Sequence, residues 1–175
     1  ADCTRGALPE ASARALFENC SAEGNEKSGF FFCVRANYIT VRDRTFKRNG
    51  TGLSIGSRDC YNLIEDCTMQ DNRAAGILIR RTPAPTEVHN CLIRDCDISV
   101  NGTECGEGQI QIEPAAHDIS LVNNRITGHS GRMTASQTIH HRLPAAMTPH
   151  RTPPPGIWVF QRPGGRLNHK NLLIC

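Results

Sequence analysis

Tyr61-Asn-Leu-Ile-Glu-Asp-Cys-Thr-Met-Gln-Asp-Asn72, followed by Gly76-Ile-Leu-Ile79, has a counterpart on either side of it in the 175-residue chain. Upstream stand Tyr38-Ile-Thr-Val-Arg-Asp-Arg-Thr-Phe-Lys-Arg-Asn49 and Gly52-Leu-Ser-Ile55; downstream stand Asn90-Cys-Leu-Ile-Arg-Asp-Cys-Asp-Ile-Ser-Val-Asn101 and Gln109-Ile-Gln-Ile112. Fainter copies surround Phe17 to Asn25 and Ile119 to His129. Aligned, the copies form columns. One apolar column reads Phe17, Val41, Ile64, Ile93, Leu121, and a second reads Ala22, Phe46, Met69, Ile98, Ile126. Between them run Cys20, Arg44, Cys67, Cys96 and Asn124, and an amide column reads Asn25, Asn49, Asn72, Asn101, then His129. A last pair of positions is Phe30 and Phe32, Leu53 and Ile55, Ile77 and Ile79, Ile110 and Ile112.

Within each copy the apolar residues alternate over two or three positions and are then interrupted by Asn, Asp or Gly. A period of two belongs to strands. A repeat of 23–29 residues holding several short strands describes the coils of a parallel β-helix. No single coil can bury its apolar side chains; stacking coils at a spacing of about 4.8 Å turns each column into an internal stripe. The Asn column is expected to occupy bends, where Asn tolerates a left-handed backbone, and to form a side-chain ladder. Gly29, Gly52 and Gly76 are expected to permit tight turns before the next strand. Glu10–Phe17 has the only helix-like spacing and is expected to open as a short capping segment. Arg44 either reaches solvent through its bend or distorts its coil, since a buried unpaired guanidinium is costly.

Composition narrows the function classes. All 17 acids lie at or before Asp118, and residues 119–175 carry seven Lys and Arg with no acid. The formal charge is therefore −4 before residue 119 and +7 after it. The repeat region is acidic and lacks interleaved basic and aromatic residues, so no nucleic-acid partner is expected of it. No phosphate loop, nucleophile elbow or zinc motif occurs, and no apolar run suits a membrane span. Nine cysteines cannot all pair within the chain. Cys20, Cys67 and Cys96 read as small buried hydrophobes in their column.

The columns resemble the right-handed parallel β-helix proteins of the pectate-lyase-like superfamily across roughly residues 11–131. Gly52-Leu-Ser-Ile-Gly-Ser57 is similar to the Gly-His-Gly-Leu-Ser-Ile-Gly-Ser segment of polygalacturonase-type glycoside hydrolases, and Gly76-Ile-Leu-Ile-Arg80 stands where they carry Gly-x-Arg-Ile-Lys. The family His falls on Thr51 and the motif Arg on Leu78. The Asp-Asp pair of the preceding coil is replaced by Ser28-Gly29. Inverting hydrolysis needs two carboxylates, so polygalacturonase chemistry through these residues is not expected.

What the resemblance implies is an acidic polysaccharide lying along an outer strand face, flanked by long loops. Ser54, Leu78 and Gln111 point outward on the Gly-led strand, and the insertions 81–87 and 102–108 supply loops. Arg58, Arg80, Arg81 and Gln111 are the substrate-binding candidates. Glu107 or His117 is the candidate base for removing a C5 proton, with His89 nearby. Glu104 and Glu113, together with Glu107, could hold Ca²⁺ through oxygen ligands. Arg and Glu on neighbouring coils equally make plain surface pairs. A carbohydrate-active protein that binds, cleaves or epimerises an acidic polysaccharide is one reading; a non-catalytic module for binding, display or assembly is the other. An extracellular or periplasmic location is implied by the resemblance alone.

The expected architecture is thus all-β: a right-handed parallel β-helix of about five coils over residues 1–131, expected to be a piece of a longer solenoid. Residues 132–175 form an irregular, basic, Pro/His-rich tail. That tail is open to three readings: a disordered segment, a cap that seats Trp158 and Phe160 on the last coil, or the product of a shifted reading frame.

Overall fold

The apolar columns become stacked strands. The structure, a computed structural model, describes residues 5–7, 9–11, 13–104, 108–113 and 115–128, together with the backbone of 135–138 and 157–159. Glu107, His129 and most of the tail lie outside the described residues. The first coil carries β1 (Arg5–Ala7), β2 (Leu16–Glu18) and β3 (Ser21–Glu23). The second carries β4 (Ser28–Phe31), β5 (Thr40–Arg42) and β6 (Thr45–Lys47), and the third β7 (Thr51–Ile55), β8 (Leu63–Glu65) and β9 (Thr68–Gln70). The fourth carries β10 (Ile77–Ile79), β11 (His89–Arg94) and β12 (Asp97–Ser99). The fifth has β13 (Ile110–Ile112) and the long β14 (His117–Thr127). In the tail, β15 (Ala135–Thr138) runs antiparallel to β14, and β16 (Ile157–Val159) lies parallel on β13.

One sheet stacks β1-β4-β7-β10-β13-β16. The other sheet folds into two faces, β2-β5-β8-β11 and β3-β6-β9-β12, joined at the top by β14. The register reproduces the columns: Phe17, Val41, Ile64, Ile93 and Leu121 pair successively, as do Ala22, Phe46, Met69, Ile98 and Ile126. Val41, Ile64 and Ile93 with Phe46, Met69 and Ile98 are fully buried and form the interior.

The bends differ from the sequence expectation in a specific way. Between the two faces the left-handed residue is Asn19, Asp43, Asp66, Asp95 or Asn123, with φ between 51° and 55°. At the next bend it is the residue before each ladder Asn, namely Gly24, Arg48, Asp71 or Val100. The column Asn residues instead point inward. Asn25 Nδ2 donates to Asn49 Oδ1 at 2.7 Å, Asn49 to Asn72 at 3.2 Å, and Asn72 to Asn101 at 2.7 Å. Each acceptor oxygen also takes the backbone N–H of the Asn one coil below, at 3.0–3.1 Å. The top rung is Gln109, whose Oε1 accepts from Asn101 Nδ2 at 2.8 Å.

This ladder corrects the reason for the glycines. Gly29, Gly52 and Gly76 have no left-handed φ; a Cβ on them would sit 2.7–2.9 Å from the ladder amide of the next coil. They are glycine to leave room for Asn49, Asn72 and Asn101. Two further expectations are corrected. Among the described residues there is no helix at Glu10–Phe17: Glu10 and Ala13 bridge in parallel to Cys33 and Asn37, and β2 follows. Left-handed Ala11 and Arg14 break any helical turn there. Arg44 neither reaches solvent nor disturbs its coil; it is buried, while Thr45 keeps register with Thr68.

Candidate functional site

A row of four rings, two exposed tyrosines and two half-buried histidines, runs up one corner of the solenoid. Tyr38 and Tyr61 hold the left-handed position before β5 and β8, with φ of 56° and 58°. Left-handed geometry turns their side chains outward, and they remain 51% and 45% exposed despite stacking on each other. Their centroids are 5.0 Å apart and the planes differ by 7°. Arg14 lies over Tyr38 from the coil below, at 6.0 Å. In the next coil Asn90, not an aromatic residue, takes the left-handed position, so the row continues through the neighbouring His89. That one-residue step explains why His89 meets Tyr61 edge-on, at 5.3 Å and 87°. His117 then stacks on His89 at 5.1 Å and 13°.

Tyr38 stacks on Tyr61 and His89 on His117, and the row presents two phenol hydroxyls and two imidazoles, one per coil. Asn90 Nδ2 lies 2.8 Å from His89 Nδ1, and His117 Nδ1 lies 2.8 Å from Asp118 Oδ2. A carboxylate accepts from Nδ1–H, and in a neutral ring that makes Nε2 the acceptor, the arrangement of an oriented base. Beside the row, Arg35 and Arg58 occupy left-handed positions on successive coils, and both are exposed.

The residues singled out from the sequence are distributed rather than convergent. Arg80 is the most constrained. Its Nη2 donates to Phe32 O at 2.8 Å and its Nη1 to Ser54 Oγ at 3.0 Å. Its guanidinium lies 3.9 Å from the Phe31 ring centre and 3.7 Å from Asp59 Oδ2. It passes directly over Gly56, where a Cβ would collide with it. Arg80 therefore clamps three coils together. Asp59, fully buried, accepts from the Ala36 and Gly56 N–H groups at 3.0 and 2.8 Å. Burial pushes its carboxyl above the ordinary range, against the pull of those donors and of Arg80.

Gln111 stacks in register above Leu78 and Ser54, but Gln111 and Ser54 are buried rather than presented to solvent. Its Nε2 donates to Glu113 at 2.8 Å, while its buried Oε1 has no partner among the described residues. Glu104 sits at the far end of β13, paired with Arg73 at 3.7 Å, so Glu104 and Glu113 are not brought together. Among the described residues no group of three or more His, Cys, Asp or Glu gathers as a metal site. Arg58 and Arg81 are exposed, and Glu107 lies outside the described residues. Tyr38, Tyr61 and Arg35 escaped the sequence reading. The available signal was the spacing of 23 residues that repeats both tyrosines and both arginines.

The stacked sheets, the inward amide ladder and the left-handed corners together define a right-handed parallel β-solenoid. A family model described as a right-handed β-helix region matches residues 2–142, and the chain belongs to that family. Neither a curated protein nor a solved structure matches it. Among the described residues no helix is long and apolar enough to cross a membrane.

Proposed function

We propose that this β-helix binds an acidic polysaccharide along the corner row Tyr38–Tyr61–His89–His117. The observation that carries the proposal is the row itself: hydrogen-bonding ring edges repeated at the coil spacing, beside the exposed Arg35 and Arg58. A polymer of sugar carboxylates and hydroxyls presents regularly spaced acceptors. Phenol, imidazole and guanidinium groups donate to such acceptors, and the charged ones bind most strongly. Arg81 extends the basic side from the loop 81–87.

His117, oriented by Asp118, is the residue best placed to take a C5 proton from a bound uronate, which would make the protein a lyase or an epimerase. Pectate, alginate, glycosaminoglycans and neutral glucans, each with and without Ca²⁺, form the test panel. Reducing ends and the ultraviolet absorbance of unsaturated uronides would be followed together, with release of the C5 proton to solvent followed separately. Absorbance that disappears in His117→Ala supports a lyase, and C5 exchange without absorbance supports an epimerase. If neither signal appears, the base role of His117 is wrong. The second reading, a non-catalytic binding or assembly module, is favoured by Arg80, whose donors hold coils together.

A further inference from the structure

We infer that Cys67 and Cys96 form a redox-active dithiol, activated by Arg44, which a small hydroperoxide converts reversibly to a disulfide joining the third and fourth coils. This is independent of polysaccharide binding. Extending the pairing of Asp97 with Thr68, and of Thr68 with Thr45, by one residue stacks Cys96 on Cys67 and Cys67 on Arg44. Both thiols are buried, and each donates to a backbone carbonyl at 3.1 Å, Cys67 to Glu65 O and Cys96 to Arg94 O. Directly stacked residues on neighbouring strands have Cα atoms about 5 Å apart, inside the range a disulfide spans.

Arg44 supplies the second, independent observation. It is 6% exposed and surrounded by Phe17, Phe30 and Phe46, with its guanidinium carbon 5.7, 5.5 and 5.9 Å from their ring centres. Among the described residues its Nε and Nη1 have no hydrogen-bond partner. Arginine stays charged in proteins, and ring faces compensate only part of the desolvation. The column stacks a thiol on either side of that charge, the exposed Cys20 one coil below and the buried Cys67 one coil above, and only Cys67 has a further thiol, Cys96, stacked on it.

The thiols differ in the required direction. Cys67 is held below the ordinary thiol range, first by the hydrogen bond from Cys96, with Arg44 adding to the effect against burial and Asp43. Cys96 is pushed far upward by the same hydrogen bond, by burial and by Asp66. Elsewhere burial raises Cys60, and Cys91 to about 12. Cys67, stacked directly on Arg44, is the nucleophile, and Cys96, one coil further from that charge, is the resolving thiol.

The Cys67 thiolate attacks one oxygen of hydrogen peroxide. The O–O bond breaks, an S–O bond forms, and the departing hydroxide takes a proton to become water. Cys96 sulfur then attacks Cys67 sulfur, displacing hydroxide, which takes the Cys96 proton. Two thiols lose two electrons in total, and one peroxide becomes two waters. Hydrogen peroxide is little larger than water, which suits a buried target.

The test is peroxide treatment of the whole chain at neutral pH, followed by alkylation under denaturing conditions and peptide mapping. A linked Cys67–Cys96 peptide that disappears on reduction is the expected result. Cys96→Ser should leave Cys67 as a sulfenic acid that dimedone traps. Arg44→Met should slow Cys67 oxidation about tenfold, one pKa unit's worth, while the half-buried Cys33, outside that column, reacts unchanged. If Arg44→Met fails to fold, the wild-type pH–rate profile decides: a Cys67 midpoint below the ordinary thiol value of about 8.5 supports the inference. A midpoint at or above that value, oxidation of Cys20 with Cys67 and Cys96 left unlinked, or an unchanged rate in folded Arg44→Met would overturn it.

Discussion

Gly52 and Asn72 form one device. A Cβ at position 52 would stand 2.9 Å from Asn72 Nδ2 and 2.5 Å from Gly76 O, neither of which can retreat without breaking the ladder or the sheet. Gly52→Ala should cost about 3 kcal/mol, the upper end for overpacking. Gly24→Ala meets nothing within 4 Å and pays only for its left-handed φ of 70°. Its cost should be about 1 kcal/mol. Urea denaturation of the two variants checks the contrast; equal losses would mean that turn geometry governs both sites. Asp59 gives a pH test. Its folded pKa is raised, so the stability it contributes is fully present below its unfolded pKa and is lost as pH rises through the folded value. Asp59→Asn removes that dependence. The stability difference should therefore move towards wild type as pH falls from about 7 to about 3.5. At this scale the Asn column was legible because its residue type repeats. The role of the glycines was not, because the atom they avoid belongs to the next coil.

Arg80 shows what the element scale adds. From its position at the end of β10 it looks like a free cation awaiting a carboxylate. In the folded solenoid it crosses Gly56 and reaches Phe32 O two coils away. Arg80→Ala should lower stability by about 2–3 kcal/mol, since it strands the fully buried Asp59 and removes two hydrogen bonds. A fall in the urea midpoint, matched by no other change in secondary structure, is the expected measurement. Other charges also act between coils: Arg42 with Glu18 at 3.0 Å, Arg125 with Asp97 at 2.6 Å, and Arg94 with Glu65. Strand columns could be read from alternation, and their register followed directly. The ring row could not, because it changes column between Tyr61 and His89 and appears only when the coils are superposed.

For the whole molecule, stability is a sum of neighbouring coil contacts, and the amide ladder ties them in series from Asn25 to Gln109. Residues 109–112 end the insertion and complete that ladder, so the loop 102–108 lengthens the fourth coil without interrupting the stack. The repeat made this architecture legible. Function was less so: an outward surface is set by corners and by side chains from several coils, and alternation says only that a residue faces out. The proposal that acidic polysaccharide binds the corner row is most directly tested by electrophoresis of the folded protein through native gels containing polygalacturonate, alginate or a neutral glucan. Wild type should be retarded by a polyuronide and not by the glucan, and Tyr61→Ala and Arg58→Ala should each restore much of the mobility. Unchanged mobility in both polyuronide gels, or equal retardation of wild type and both variants, would contradict it.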